Sequence, residues 1–245
     1  MNSRGFAVCI IAAASSVAMP VAAIAACDAR SGPKTAALVE LYTSEGCSSC
    51  PPAEAVPLAL HVGYWDYIGW KDPYAQAAFE QRQNWLVRAK RQQTIYTPQF
   101  FVGGAELHSW RGALRGKVRQ LNALPAAAAI RVRAGIASNG ALALDAEATA
   151  SAGDGPAVLY LALAESGLIS KVTRGENSGA TLALDHVVRA WVGPVRLVAG
   201  AVRVRREIAL PAGWSRARLE LVVFVQYART GGVLQAVSAR HCADS

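Results

Sequence analysis

A chain of 245 residues, 53% hydrophobic and 17% charged, is long enough for two ordinary domains and too apolar to be disordered. Its formal charge of +8 raises the question of nucleic acid, but the basic residues scatter along the chain from Arg82 to Arg240 instead of forming a block. A solvated basic surface is expected, with no nucleic-acid partner.

Residues 1–26 read as an export signal. Arg4 gives the positive start, Phe6 to Ala25 carries no charge, and Ala23-Ile24-Ala25 supplies small residues for cleavage. Two alternatives stand beside this reading: an uncleaved membrane anchor, and a lipoprotein carrying its lipid on Cys27 after Ile24-Ala25-Ala26. A periplasmic or secreted location is expected. Cleavage near Ala25 or Ala26 removes Cys9 and leaves Cys27, Cys47, Cys50 and Cys242, which permit three pairings. In the simplest, Cys47 and Cys50 form the working couple and Cys27–Cys242 is a structural disulfide between the chain ends.

Residues 27–125 alternate strand and helix patterns. "TAALVELYT" (Thr35 to Thr43) is a short apolar run holding one acid, Glu40, and fits a buried strand. "PLALHV" (Pro57 to Val62) is a second strand candidate. Asp72-Pro73 has the form of a helix start, an Asp cap followed by Pro, with Phe79, Gln83, Leu86 and Val87 recurring on one side. Thr97-Pro98 precedes the strand "QFFVGG" and a hairpin partner "AELHSW". Arg111 to Ala123 then shows Leu114, Val118 and Leu121 at helical spacing.

Leu124-Pro125 marks a boundary, after which residues 126–245 take a period of two. "AIRVRAGIASNGALALDAEATA" is two alternating runs about Asn139-Gly140, a hairpin signal. Roughly seven or eight strands follow in all, without a clear helix, which suggests a β-sandwich. Arg131 with Arg133, and Arg203 with Arg205, alternate with apolar residues as the wet face of a half-buried strand would.

The chemistry-bearing motif is Cys47-Ser48-Ser49-Cys50 followed by Pro51-Pro52. Cys-x-x-Cys after a buried strand is a redox signal. The attacking species is a thiolate, and free backbone N–H groups at a helix N-terminus would stabilise it on Cys47. Cys47 then attacks or receives a disulfide and Cys50 resolves the mixed disulfide. No cofactor is expected. Glu40, flanked by Val39 and Leu41, has two readings: a buried proton relay to Cys50, or an edge-facing carboxylate paired with a basic side chain. Tyr64-Trp65-Asp66-Tyr67-Ile68-Gly69-Trp70 also has two, a platform for an extended peptide or plain core packing. Metal binding would need more ligands than one cysteine pair, with His61, His108, His186 and His241 as the remaining imidazoles.

Together, "LVELYTSEGCSSCPP", "HVGYWDYIGWKDPYA", Arg82-Gln83, "YTPQFFVGG" and the later "GENSGATLALDHVVRAW" resemble an exported thioredoxin-like family classed as a domain of unknown function. The resemblance runs from Thr35 to Trp110 and again from Gly175 to Trp191. It implies an α/β thioredoxin-like domain followed by an all-β sandwich-like domain. It also implies a cis-proline at Pro98, with Thr97 and Pro98 positioning substrate; Tyr64 and Trp65 join them as substrate-binding candidates only on the peptide-platform reading of the aromatic block. Two departures stand out. Only Ala53 to Val56 separate Pro52 from Pro57, too little for the relatives' longer helix, and Gly63 replaces an acid.

The resulting expectation is a thiol–disulfide oxidoreductase acting on exported protein or peptide thiols and disulfides. The alternatives are a non-catalytic binding module with a fixed Cys47–Cys50 bridge and, third, a metal-delivery protein.

Overall fold

The computed structural model describes residues 27–45, 55–151, 153, 155–240 and 242. The export-signal reading of residues 1–26 and the Cys47–Cys50 motif lie outside the described residues. In chain order, β1 (Cys27–Arg30), β2 (Leu38–Thr43) and β3 (Val56–His61) precede helix α1 (Ala77–Ala89). β4 (Gln99–Val102) and β5 (Ala105–Glu106) lead to helix α2 (Trp110–Asn122). The hairpin of β6 (Ala128–Ile136) and β7 (Leu142–Ala150) follows, then β8 (Ala157–Glu165). A ribbon of β9 (Leu168–Lys171) and β10 (Thr181–Leu184) comes before β11 (Val187–Arg196) and β12 (Ala201–Ile208). β13 (Leu219–Tyr227) and β14 (Val233–Arg240) complete the order.

Eight strands form one sheet in the order β14-β13-β8-β11-β3-β2-β4-β5, and β1-β6-β7-β12 form a second. This overturns the expected fold class of an α/β thioredoxin-like domain followed by an all-β sandwich-like domain. The described residues are mostly strand, with two α-helices, and strands from both sides of Pro125 share one sheet. The physical reason lies in β8. All nine of its residues are buried, so both its faces need cover, as in a central strand rather than a half-wet sandwich strand. β13 hydrogen-bonds along one edge of β8 and β11 along the other, and β11 passes the sheet on to β3 at Val187 beside Ala59.

Each face of the large sheet has its own cover. Leu159, Leu161 and Leu163 of β8 and Val223 of β13 pack against Ile130, Val132, Leu144 and Val204 of the four-stranded sheet. On the opposite face, Leu38, Leu60, Phe101 and Phe224 meet Phe79, Leu86 and Val87 of α1. Val39, Leu41 and Phe100 face the other way, toward Leu114 and Val118 of α2. The period-two alternation of β2 therefore places α1 and α2 on opposite sides.

Several local expectations hold. β6 and β7 pair from Ile136 beside Leu142 around Gly140, whose φ of +81° suits glycine. β4 turns into β5 through Gly103 and Gly104; a Cβ on Gly104 would lie 1.8 Å from the Gly231 carbonyl oxygen, so that position demands glycine. The arginines of β6 and β12 point outward and pair across strands. Arg133 lies 3.5 Å from Asp145, Arg203 meets both Asp145 and Glu147, and Arg131 meets Asp28.

The helix start was misplaced. α1 begins at Ala77 with Gln76 as its cap, not at Asp72-Pro73. Asp72 is instead buried, and its carboxylate accepts from the Tyr74 amide at 2.8 Å and from His61 Nδ1–H at 2.7 Å. It serves a turn before the helix rather than the helix itself.

Among the charges, Arg82 stands apart because α1 carries it inward. Nε and Nη2 donate to the two oxygens of Glu40, and Nη2 also donates to Gln226 Oε1 at 2.8 Å. The guanidinium carbon lies 4.6 Å from the Tyr160 ring centroid, 5.0 Å from Phe224 and 5.2 Å from Trp191. Burial works against the charge, but the Glu40 carboxylate outweighs it and holds Arg82 above its ordinary range.

Cys27 and Cys242 form a disulfide that joins the start of β1 to the residue pair beyond β14, and so one sheet to the other. A sulfur in that bond cannot also carry the thioether of a lipid. The loop it closes spans 215 residues, which in the chain-entropy view corresponds to a stabilisation on the order of 5 kcal/mol.

Arg82→Met, which leaves Glu40 buried without its cation, is expected to lower the unfolding free energy in urea by about 3–5 kcal/mol. A Glu40→Leu/Arg82→Met double variant is expected to recover a large part of that loss. The Cys27→Ser/Cys242→Ser variant is expected to lose about 2–5 kcal/mol, read as a lower urea midpoint under oxidising conditions. Hydrogen bonds from Arg131 and Arg203 hold Asp28 and Asp145 below the usual carboxylate range. Their contribution is therefore complete above pH ~4 and disappears as pH falls through the depressed values. Asp145→Asn should flatten the fall in urea midpoint between pH 5 and pH 2, the readout that checks it.

Candidate functional site

β2 runs between β3 and β4, and its carboxyl end opens on a pocket of about 360 Å³. Glu45, just past β2, supplies one wall. Trp65 and Trp70, from the segment between β3 and α1, supply another. Thr97 and Pro98, leading into β4, and Trp110 with Arg111 at the start of α2 stand opposite. The turn of the β9–β10 ribbon lays Arg174, Glu176 and Asn177 over the remaining side.

Hydrogen bonds lock these walls together. Trp65 Nε1–H donates to Thr97 Oγ1 at 2.9 Å, and Asn177 Nδ2 donates to the Glu45 carbonyl at 2.6 Å. The Glu45 amide donates to Asp72 Oδ2 at 3.0 Å, the oxygen that also takes His61 Nδ1–H. Asp66 Oδ1 accepts from the Asp72 amide at 3.1 Å. His61 is 1% exposed and Asp72 4%, so this is an interior network and not a surface one.

Glu45 is the unusual member. It is 4% exposed; Oε2 accepts from Trp70 Nε1–H, and Oε1 has no hydrogen-bond partner among the described residues. A buried carboxylate oxygen left unpaired costs stability unless a donor reaches it. Cys47 follows Glu45 by two residues, a reach of about 7 Å along the chain.

The residues expected from the sequence divide. Trp65, Thr97 and Pro98 meet at the pocket, and the Thr97–Pro98 peptide bond is cis, as the resemblance implied. Tyr64 packs instead against the core under α1, and burial raises its hydroxyl's pKa. Glu40 is absent from the pocket, with both oxygens on Arg82. Cys47 and Cys50 lie outside the described residues, and Cys27 and Cys242 form their disulfide away from the pocket. In the aromatic block, Trp65 and Trp70 line the pocket while Tyr67, 78% exposed, stacks on Trp65 at its rim. Tyr96, next to Thr97, donates to Glu106 at 2.6 Å; burial first, then that bond, pushes it up to about 12.

Glu45, Asp72 and Asn177 were not singled out as site residues. The signal for Glu45 was its place two residues ahead of the dithiol, outweighed by the apolar flanks of Glu40. Asp72 was read as a helix cap, and Asn177 entered only within the motif that carries the resemblance.

Among solved structures, protein AGR_C_4864 from Agrobacterium tumefaciens is 24% identical over 85% of this chain and 95% of that one, with a TM-score of 0.60. HBP35 of Porphyromonas gingivalis is 13% identical over 86% of this chain and 76% of that one, with a TM-score of 0.64. Both likenesses are of fold. A comparison with curated proteins gives no match. The sequence pattern of DUF1223, described as a protein of unknown function, matches residues 38–226, so the chain belongs to the DUF1223 family.

Proposed function

We propose that this protein is an exported thiol–disulfide oxidoreductase that acts on polypeptide substrates through Cys47 and Cys50. The observation that carries the reading is the pocket at the end of β2. Its wall residue Glu45 lies two residues before Cys47, while Trp65, Thr97 and Pro98 stand across from it. A substrate segment held there lies within the dithiol's reach along the chain.

In the reducing direction the Cys47 thiolate attacks one sulfur of a substrate disulfide. The substrate S–S bond breaks, a Cys47–substrate bond forms, and the departing sulfur leaves as thiolate and takes a proton. Cys50 loses its proton and attacks Cys47; the internal disulfide forms and the second substrate thiol is released. The oxidising direction runs these steps in reverse, so the protein ends reduced and the substrate gains a disulfide. Export agrees with the Cys27–Cys242 disulfide, since such bonds persist in oxidising compartments. A periplasmic or secreted location is part of this proposal.

The binding-module reading has one observation in its favour, the exposed Tyr67 ring stacked on Trp65 at the pocket rim. For metal delivery, no group of three donor side chains comes together among the described residues.

Equilibration with glutathione or dithiothreitol buffers separates the first two. A Cys47–Cys50 potential between about −270 and −120 mV, with disulfide reduction lost in Cys47→Ser, is expected of the enzyme. A potential below about −300 mV, with no turnover of insulin disulfides, would establish the fixed bridge instead.

A further inference from the structure

We propose that the pocket at the end of β2 holds one basic side chain, arginine or lysine, of the polypeptide substrate, with Glu45 as its anchor. The inference deepens the thiol–disulfide reading by naming what the same site selects, and it rests on that reading for the substrate being a polypeptide.

Three features favour a cation. The first is the Oε1 of Glu45, a residue 4% exposed and on the pocket wall, which has no hydrogen-bond partner among the described residues. The second is the hydrogen-bond inventory. The indole N–H groups of Trp65 and Trp70 are engaged by Thr97 and Glu45, so these rings offer the pocket π surface and no free donor. The remaining strong donors of the lining are Arg111 and Arg174, so beside Glu45 and the two indoles it is a guanidinium or ammonium that supplies the missing donor. The third is charge. Glu45, Asp66, Asp72 and Glu176 against Arg111 and Arg174 make four acids to two bases on the lining of a chain whose overall charge is +8.

Arg111 lies 5.0 Å above the Trp110 ring, which shows that this wall accepts a guanidinium on an indole face. With Arg174 it sets a further condition at the pocket: a single basic residue fits, and a run of several is repelled. An anionic side chain seated beside Glu45 would face the Glu45 and Asp72 carboxylates, which disfavours it there.

Tryptophan fluorescence titration tests this on the full-length protein with blocked pentapeptides of sequence Ala-Ala-Xaa-Ala-Ala, which lack cysteine. Arginine or lysine at Xaa is expected to bind about tenfold more tightly than glutamine or glutamate, the scale of one charge-assisted hydrogen bond. Glu45→Gln is expected to erase that preference without unfolding the protein, as circular dichroism would report. Equal affinity for all four peptides in the wild type overturns the proposal, whatever the variant does. n-Butylammonium binding as tightly as the lysine peptide overturns the polypeptide source. Because no peptide carries a thiol, lost selectivity with an active dithiol sinks this inference alone. Retained selectivity with an inert dithiol sinks the oxidoreductase reading and leaves the cation site standing.

Discussion

A guanidinium enclosed by three aromatic rings joins helix α1 on one face of the large sheet to strands that are far apart in sequence. Arg82 comes from α1, Glu40 from β2, Tyr160 from β8, Trp191 from β11, and Phe224 with Gln226 from β13. A charge in such surroundings is tolerable only with its partner in place: Nε and Nη2 are bonded, while Nη1 has no hydrogen-bond partner among the described residues. The pairing is therefore a geometric condition on the whole sheet. The strands must be assembled in this order for the rings, the carboxylate and the amide to converge on α1.

That condition also orients the site. With Glu40 and Tyr42 turned toward α1, the alternation of β2 sends Val39 and Leu41 to the α2 side. β2 ends between the two helices, where Trp110 of α2 and the segment ahead of α1 approach each other. Asp72 then fixes the rim. One carboxylate oxygen holds the Glu45 amide just past β2 and His61 from β3, and the other holds the turn at Tyr74. The ribbon turn closes the circle through Asn177 on Glu45. The pocket is thus built from five stretches of chain, and one buried acid network ties the end of β2 to the segment ahead of α1.

The places where sequence reading and structure part have a common cause. A charged residue amid polar helix neighbours looks solvated, and nothing local to Arg82 announces an acid 42 positions earlier and three rings from later strands. Glu40 drew attention because its neighbours are apolar, and it is indeed fully buried, but its partner is supplied by the helix above it. Asp72-Pro73 had the local chemistry of a helix cap; His61 and the Glu45 amide claimed that carboxylate first. The continuous apolar run of β8 carried the one hint of a strand buried on both faces, which the apparent boundary at Pro125 obscured.

Where hydrogen-bonding and apolar patterns repeat locally, the amino-acid order was enough: α2, the β4–β5 and β6–β7 hairpins and the outward arginines follow from spacing or turn residues, while cysteine parity left Cys27–Cys242 as one of three pairings. Folding in three dimensions settled the rest. Which strands share a sheet, which acid meets Arg82 and which carboxylate faces the pocket depend on contacts between residues tens to hundreds of positions apart. Burial gives those contacts their energy, and no local period records it.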